Sequence, residues 1–116
     1  MFLQLNHKSL IVYQIIRELT KELYRMSLKF PPEEKYNMVQ QIRRAALSIK
    51  LNFSEGSTRR SEAERKRYLE ISRGSVVEID AALETAVDLE YFKSAELEHI
   101  GKLLNSCFAM ISKMMK

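Results

Sequence analysis

The sequence predicts an all-α fold, a single-domain, up-down-up-down antiparallel four-helix bundle. Three observations carry this. Only three glycines and two prolines interrupt 116 residues, so the chain must be built of long elements with few turns. Four stretches place apolar residues at alternating three- and four-residue steps, which gives a helix one buried face. The helix-stopping and helix-starting residues (Pro31-Pro32, Gly56, Ser61, Ser94) fall between those stretches. With 46% hydrophobic and 29% charged residues, the chain can bury a core without covalent staples.

The first helix is expected over about residues 7–28, with Val12, Ile15, Ile16, Leu19, Leu23 and Met26 on its seam and Asn6 placed to cap it. Leu10, Ile11 and Tyr13 widen its apolar surface, enough to touch a second surface such as another subunit. Lys29-Phe30-Pro31-Pro32 ends it, because proline cannot continue a helix and its predecessor avoids the α region. The same prolines open the second helix, 32–55, where Glu33 and Glu34 suit the positive end of the dipole. Its seam is Val39, Ile42, Ala46, Ile49 and Phe53, and Gly56 is the expected stop.

Ser61-Glu62-Ala63-Glu64 matches the capping box that starts a helix, here 62–90. Leu69, Ser72, Val76, Ile79, Leu83 and Ala86 form its seam. Gly74 lies mid-helix, where it costs about 1 kcal/mol against alanine, and close approach of a neighbouring helix would offset that. Ser94 is placed to cap the fourth helix, 95–115, with Leu97, Ile100, Leu104, Cys107, Ile111 and Met114 aligned.

Several function classes lack support in these residues. No run approaches the ~20 apolar residues of a membrane span, and the first residues lack the pattern of a secretory signal. The lone Cys107 can form no intramolecular disulfide and fits a buried thiol in a reducing cytoplasm. His7 and His99 are isolated and read as surface or helix-end residues. Glu96 precedes His99 by three, yet a bundle-core metal site needs such pairs in duplicate. No catalytic residue, metal or cofactor is expected.

Charge is more informative. The net charge is +4, but residues 1–75 hold 15 Lys/Arg against 8 Asp/Glu, while residues 76–116 hold 4 against 7. On a helical wheel, Arg43 and Lys50 share an outer edge of the second helix, and Lys66 and Arg73 do so on the third. With Arg59, Arg60 and Arg67 they are placed to form one basic face that grips phosphates, or else a solvated surface neutralised by Glu62, Glu64 and Glu70. A separate polar line, Gln41, Arg44, Ser48, Asn52 and Glu55, borders the core seam, with Arg67, Ile71, Gly74 and Glu78 opposite on the third helix. It fits a register-fixing network inside the bundle or at a subunit interface, with Arg44 near Glu78 or Glu55 near Arg67; a ligand site is the other possibility.

The stretch FPPEEKYNMVQQIRRAALSIKLNFSEGSTRRS, followed by YLEISRGSVVEIDAALETAVDL, resembles the four-helix-bundle family of 23S rRNA-intervening-sequence proteins. The residues that carry the resemblance include Phe30, Pro31, Glu33, Glu34, Tyr36, the run Gln41 to Ala46, Ser48, Ile49, Asn52, Glu55, Gly56, Arg59, Arg60, Ser61, Gly74, Ser75 and Glu78. The resemblance implies a homopentamer around a central channel and no enzymatic activity. The sequence is also similar to the accessory variability proteins of diversity-generating retroelements, which implies nucleic-acid binding in aid of a reverse transcriptase. Arg65 departs from the family pattern, where an aromatic is common, as do Leu51, Phe53 and Ser57-Thr58.

The expectation is therefore a non-catalytic oligomeric bundle that binds RNA or DNA without base specificity through Arg43, Lys50, Arg59, Arg60, Lys66, Arg67 and Arg73. The alternative is a structural or adaptor bundle that binds a protein partner and no nucleic acid.

Overall fold

A computed structural model describes all 116 residues and consists of four α-helices with no strand: α1 (Ile11–Ser27), α2 (Met38–Ser57), α3 (Glu62–Asp88) and α4 (Glu98–Met114). The molecule measures 44 × 29 × 21 Å. Partners across each interface run in opposite senses. Gly56 and Ser48 of α2 meet Tyr68 and Ser75 of α3, and Tyr13 and Ser27 of α1 meet Phe53 and Arg43 of α2. Arg73 of α3 reaches Ser112 of α4, and Glu18 of α1 reaches His99 of α4. Each helix thus packs antiparallel to its two neighbours, giving the up-down-up-down bundle.

The four seams meet in one core of 24 buried residues, including Ile16, Leu19, Leu23, Ile42, Ile49, Phe53, Ile79, Cys107 and Ile111. Phe30, Tyr91 and Phe92 close one end, where the α1–α2 and α3–α4 links meet; the Tyr91 and Phe92 rings lie 5.8 and 5.0 Å from that of Phe30 in edge-on contact. The Tyr91 hydroxyl donates to Glu34 Oε2 at 2.8 Å and ties the two links together.

Helix boundaries depart from expectation where a side chain has a better use. Residues Asn6–Ser9 form a 3-10 turn and Leu10 is extended, so α1 begins at Ile11 rather than His7, and no side chain caps it. The break turns the His7 ring inward, 5.2 Å from Tyr13 and 6.2 Å from Phe53, so His7 is buried rather than at the surface. Tyr13 is also buried in the chain's own core, while Leu10 and Ile11 remain exposed.

The expected start of α2 at residue 32 becomes a separate 3-10 turn, Pro32–Glu34, with the helix opening at Met38. There the Glu34 carboxylate is taken by Tyr91 and by Asn37 Nδ2 at 3.0 Å. Ser61 caps α3 as expected, its Oγ accepting the Glu64 N–H. The helix ends at Asp88, short of 90, because Glu90 adopts φ 63°. Tyr91 N–H then bonds Ala86 O and Glu90 N–H bonds Val87 O, the paired closure of a Schellman stop. A 3-10 turn, Ser94–Leu97, precedes α4, and the Glu96 carboxylate accepts the Lys93 N–H, so Ser94 is not the cap.

Helices α2 and α3 form the tightest pair, and the glycine responsible is not the expected one. A Cβ on Gly74 would meet nothing within 4 Å, so this glycine lies open on the surface. Gly56, expected as a left-handed stop, instead lies within α2 with negative φ, buried against α3, and a Cβ there would sit 2.6 Å from Tyr68 Cβ.

Candidate nucleic-acid interface

The polar line of α2 divides in two. Ser48 and Asn52 belong to a network between α2 and α3. Ser75 Oγ lies 2.8 Å from Ser48 Oγ, Asn52 Nδ2 donates to Ser48 O and Oγ, and Ser72 Oγ donates to Ile49 O at 2.7 Å. Ser72 and Ser75 are buried, so these bonds satisfy polar groups that would otherwise be stranded and set the register of the pair. Gln41, Arg44, Glu55 and Glu78, assigned to the same architecture, are exposed. Arg44 and Glu78 form no ion pair, and Glu55 binds Arg59 at 2.8 Å rather than Arg67.

The seven basic residues also divide. Arg43 does not point outward: its Nε donates to Ser27 Oγ at 2.8 Å and its guanidinium stacks 4.8 Å from the Tyr24 ring, tying α1 to α2. Arg73 donates to Ser112 Oγ at 3.1 Å and lies 5.5 Å from the Phe108 ring, tying α3 to α4. Arg59 is the hub of the α2–α3 turn, with Glu55 at 2.8 Å, Glu64 at 3.9 Å, the Tyr68 hydroxyl at 3.1 Å and the Tyr68 ring at 5.1 Å. The bond to Tyr68, then the nearby carboxylates, push its pKa above the ordinary arginine value, so it stays charged. Arg65, the family departure, donates to the Arg59 and Arg60 carbonyls at 3.0 and 2.7 Å and pins the same turn. Arg43, Arg59 and Arg73, joined by Arg65, act largely within the chain.

Arg60, Lys66 and Arg67 differ. Each is exposed and none forms an ion pair. They stand at the end of the bundle that also holds the start of the chain and the end of α4. There Arg65 and Lys66 share a surface depression with Glu62, Leu69, Met114, Met115 and Lys116. Lys8 near the start of the chain and Lys113 and Lys116 at its end add positive charge there, against the carboxylates Glu55, Glu62, Glu64 and Glu70. The opposite end carries Glu33, Glu34, Asp88, Glu90, Glu96 and Glu98 against Lys29, Lys35, Lys93 and Lys102. The bundle is therefore electrically polar along its length. Lys50 lies apart, half-buried, with its ammonium 5.9 Å from the Tyr13 ring on the α1–α2 face.

Arg17 and Lys21, which share that face with Lys50, escaped the sequence-based search. Their spacing of four residues on the solvent side of α1 was a usable signal, but only the fold brings Lys50 beside them.

No three His, Cys, Asp or Glu side chains gather as a metal-binding group. Glu96 does not face His99 as a ligand pair; its carboxylate is used at Lys93, while His99 Nε2 lies 3.2 Å from Glu18. Cys107 is fully buried, and desolvation pushes its thiol up to about 12. No helix is long and apolar enough to cross a membrane.

Fold and charge thus define a small antiparallel four-helix bundle with one basic end. The profile of the 23S rRNA-intervening sequence proteins matches residues 8–113, and the chain belongs to that family. A crystal structure at 1.70 Å of a protein of unknown function from the S23 ribosomal protein family of Bacteroides thetaiotaomicron VPI-5482 has a similar fold. The two share a TM-score of 0.84 and 22% identity over 91% of this chain and 99% of the other. No functionally curated protein matches the chain.

Proposed function

We propose that the protein is a non-catalytic, cytoplasmic, homo-oligomeric bundle that binds RNA or DNA through backbone phosphates, without reading bases. The observation that carries this is the basic end, where Arg60, Lys66 and Arg67 are exposed and free of acid partners. Exposed arginine with lysine suits phosphate oxygens, and such contacts position a strand without specifying its sequence. The resemblance to accessory variability proteins adds a role beside a reverse transcriptase to this proposal.

A second feature supports assembly, with a homopentamer as the family-based expectation. Leu47, Leu51 and Ile71 are exposed, and helical spacing puts them on one outer face of α2 and α3 beside the open Gly74. Unpaired Arg44 and Glu78 flank that face toward one end and Arg67 toward the other, so apolar contact and charge complementarity are both available to a second copy. The same face suits the alternative, a protein partner in place of nucleic acid.

Salt separates the two readings. Binding of a labelled single-stranded RNA and DNA to the purified oligomer should weaken linearly in log–log form as salt rises. Arg60→Ala/Lys66→Ala/Arg67→Ala should reduce the slope by about 2, since each lost phosphate contact on a single strand removes about 0.7. Absence of binding at low salt rules out the phosphate-binding mechanism and leaves the adaptor. Gly74→Glu, which the open position accommodates, should leave the helical fold intact and reduce the mass measured by light scattering.

A further inference from the structure

Between α1 and α2 lies a cleft of about 450 Å³ lined by Gln14, Arg17, Glu18, Thr20 and Lys21 of α1 and Lys50 of α2, with no apolar residue among them. We infer that this cleft is a phosphoryl-binding subsite, for a phosphate on a nucleic-acid strand or on a free polyphosphate. In the first case it rests on the function proposed above and extends the basic end along one side of the bundle.

Three cations from two helices meet here, and none of them is in an ion pair. Arg17 and Lys21 are one turn apart, a like-charge spacing that costs helix stability unless an anion joins it. Glu18 is the single carboxylate in the cleft, and it is directed to His99 on α4 at 3.2 Å.

Gln14 orients the arginine. Its Oε1 accepts from Arg17 Nη1 at 3.4 Å, while its Nε2 is held by Lys8 O at 2.9 Å. That leaves four of the five guanidinium N–H groups for a ligand. Thr20 donates its hydroxyl to Ile16 O and serves as wall. Lys50 is held half-buried with its ammonium over the Tyr13 ring, so less side-chain freedom is lost when it meets an anion.

A concave site with three cations and one carboxylate, itself turned to His99, concentrates negative counter-charge. One planar guanidinium for paired oxygens and two ammonium point charges is a donor set for a phosphoryl group.

The test uses the full chain, inorganic pyrophosphate and a labelled single-stranded oligonucleotide. Pyrophosphate should shift the amide resonances of Gln14 to Lys21 and of Lys50. Arg17→Gln/Lys21→Gln/Lys50→Gln should weaken pyrophosphate binding at least tenfold. Lys29→Gln/Lys93→Gln/Lys102→Gln, which removes the same charge elsewhere, should weaken it less than threefold. Equal losses in the two variants, or no shift at millimolar pyrophosphate, overturn the site. If the cleft variant also loses oligonucleotide affinity beyond the control, the phosphate comes from a strand. If pyrophosphate binding alone is lost, it comes from a small polyphosphate. If no oligonucleotide binds at all while pyrophosphate still does, the cleft stands and only the nucleic-acid function falls.

Discussion

Gly56→Ala and Gly74→Ala should change stability in opposite directions, although both replace a helical glycine by the best helix former. Each gains about 1 kcal/mol of helix propensity. At Gly74 nothing lies within 4 Å of the new methyl, so the gain is realised. At Gly56 the methyl would sit 2.6 Å from Tyr68 Cβ, roughly 1 Å inside the 3.5–4.0 Å of a favourable carbon contact. Tyr68 Cβ is anchored to the α3 backbone and cannot swing away, so the two helices must separate. Separation by that amount would stretch the Ser72–Ile49 and Ser75–Ser48 hydrogen bonds, now 2.7 and 2.8 Å, beyond useful length. Overpacking costs about 1–3 kcal/mol and each of the two weakened bonds about 1 kcal/mol, so after the propensity gain the net loss is about 2–4 kcal/mol. At roughly 4 °C per kcal/mol for a domain of this size, Gly56→Ala should melt about 8–16 °C lower and Gly74→Ala about 4 °C higher. Melting by circular dichroism should be read where Tm no longer depends on protein concentration, because Gly74 borders the proposed assembly face. A stabilised Gly56→Ala or a destabilised Gly74→Ala would refute the placement of the close approach.

Other perturbations test single features. Burial, then the nearby Lys8, hold the His7 pKa below its ordinary value. Between that lowered pKa and about 6.5 the unfolded chain binds the extra proton, so His7 should cost stability as pH falls through this window and contribute fully above it. His7→Phe should flatten that dependence in denaturant titrations, and an unchanged slope would count against the buried neutral ring. Glu90→Gly should stabilise by about 0.5–1 kcal/mol, because glycine adopts φ 63° without the Cβ penalty; no gain in urea midpoint would contradict the left-handed stop. Cys107 should resist a disulfide reagent at pH 8 until denaturant is added, and full reaction within seconds in the native protein would exclude its burial.

The core was legible because helical periodicity is a local property: Val12 to Met26, Ile42 to Phe53, Leu69 to Ala86 and Leu97 to Ile111 all carry buried members on their expected seams. Boundaries were less legible, since they depend on partners distant in sequence. Nothing local shows that His7 will tuck against Phe53, or that Tyr91 will take the Glu34 carboxylate across the molecule. The two glycines were misassigned for the same reason. A mid-helix glycine suggests close approach and one at a helix end suggests a stop, but only the α2–α3 register shows that Gly56 faces Tyr68 and Gly74 faces outward. The candidate site was legible as a cluster and not as individual roles, because the wheel cannot show that Ser27 and Ser112 wait for Arg43 and Arg73.

That division of the arginines decides how the basic end must be tested. Arg59 and Arg60 are adjacent in sequence, yet Arg59 is engaged by Glu55, Glu64 and Tyr68 while Arg60 offers only its carbonyl to Arg65. A double-alanine variant would mix loss of the turn with loss of binding. Arg59→Ala leaves Glu55 and Glu64 without their cation and should lower Tm, changing strand affinity only as far as the turn loosens. Arg60→Ala removes a free charge and should leave stability within about 0.5 kcal/mol of the parent, as for an exposed side chain without partners. It should lower affinity and reduce the salt slope by about 0.7 for a single strand. If Arg60→Ala binds like the parent while Arg59→Ala loses affinity at unchanged Tm, the contact lies with the paired arginine and the assignment of free cations to phosphate is wrong.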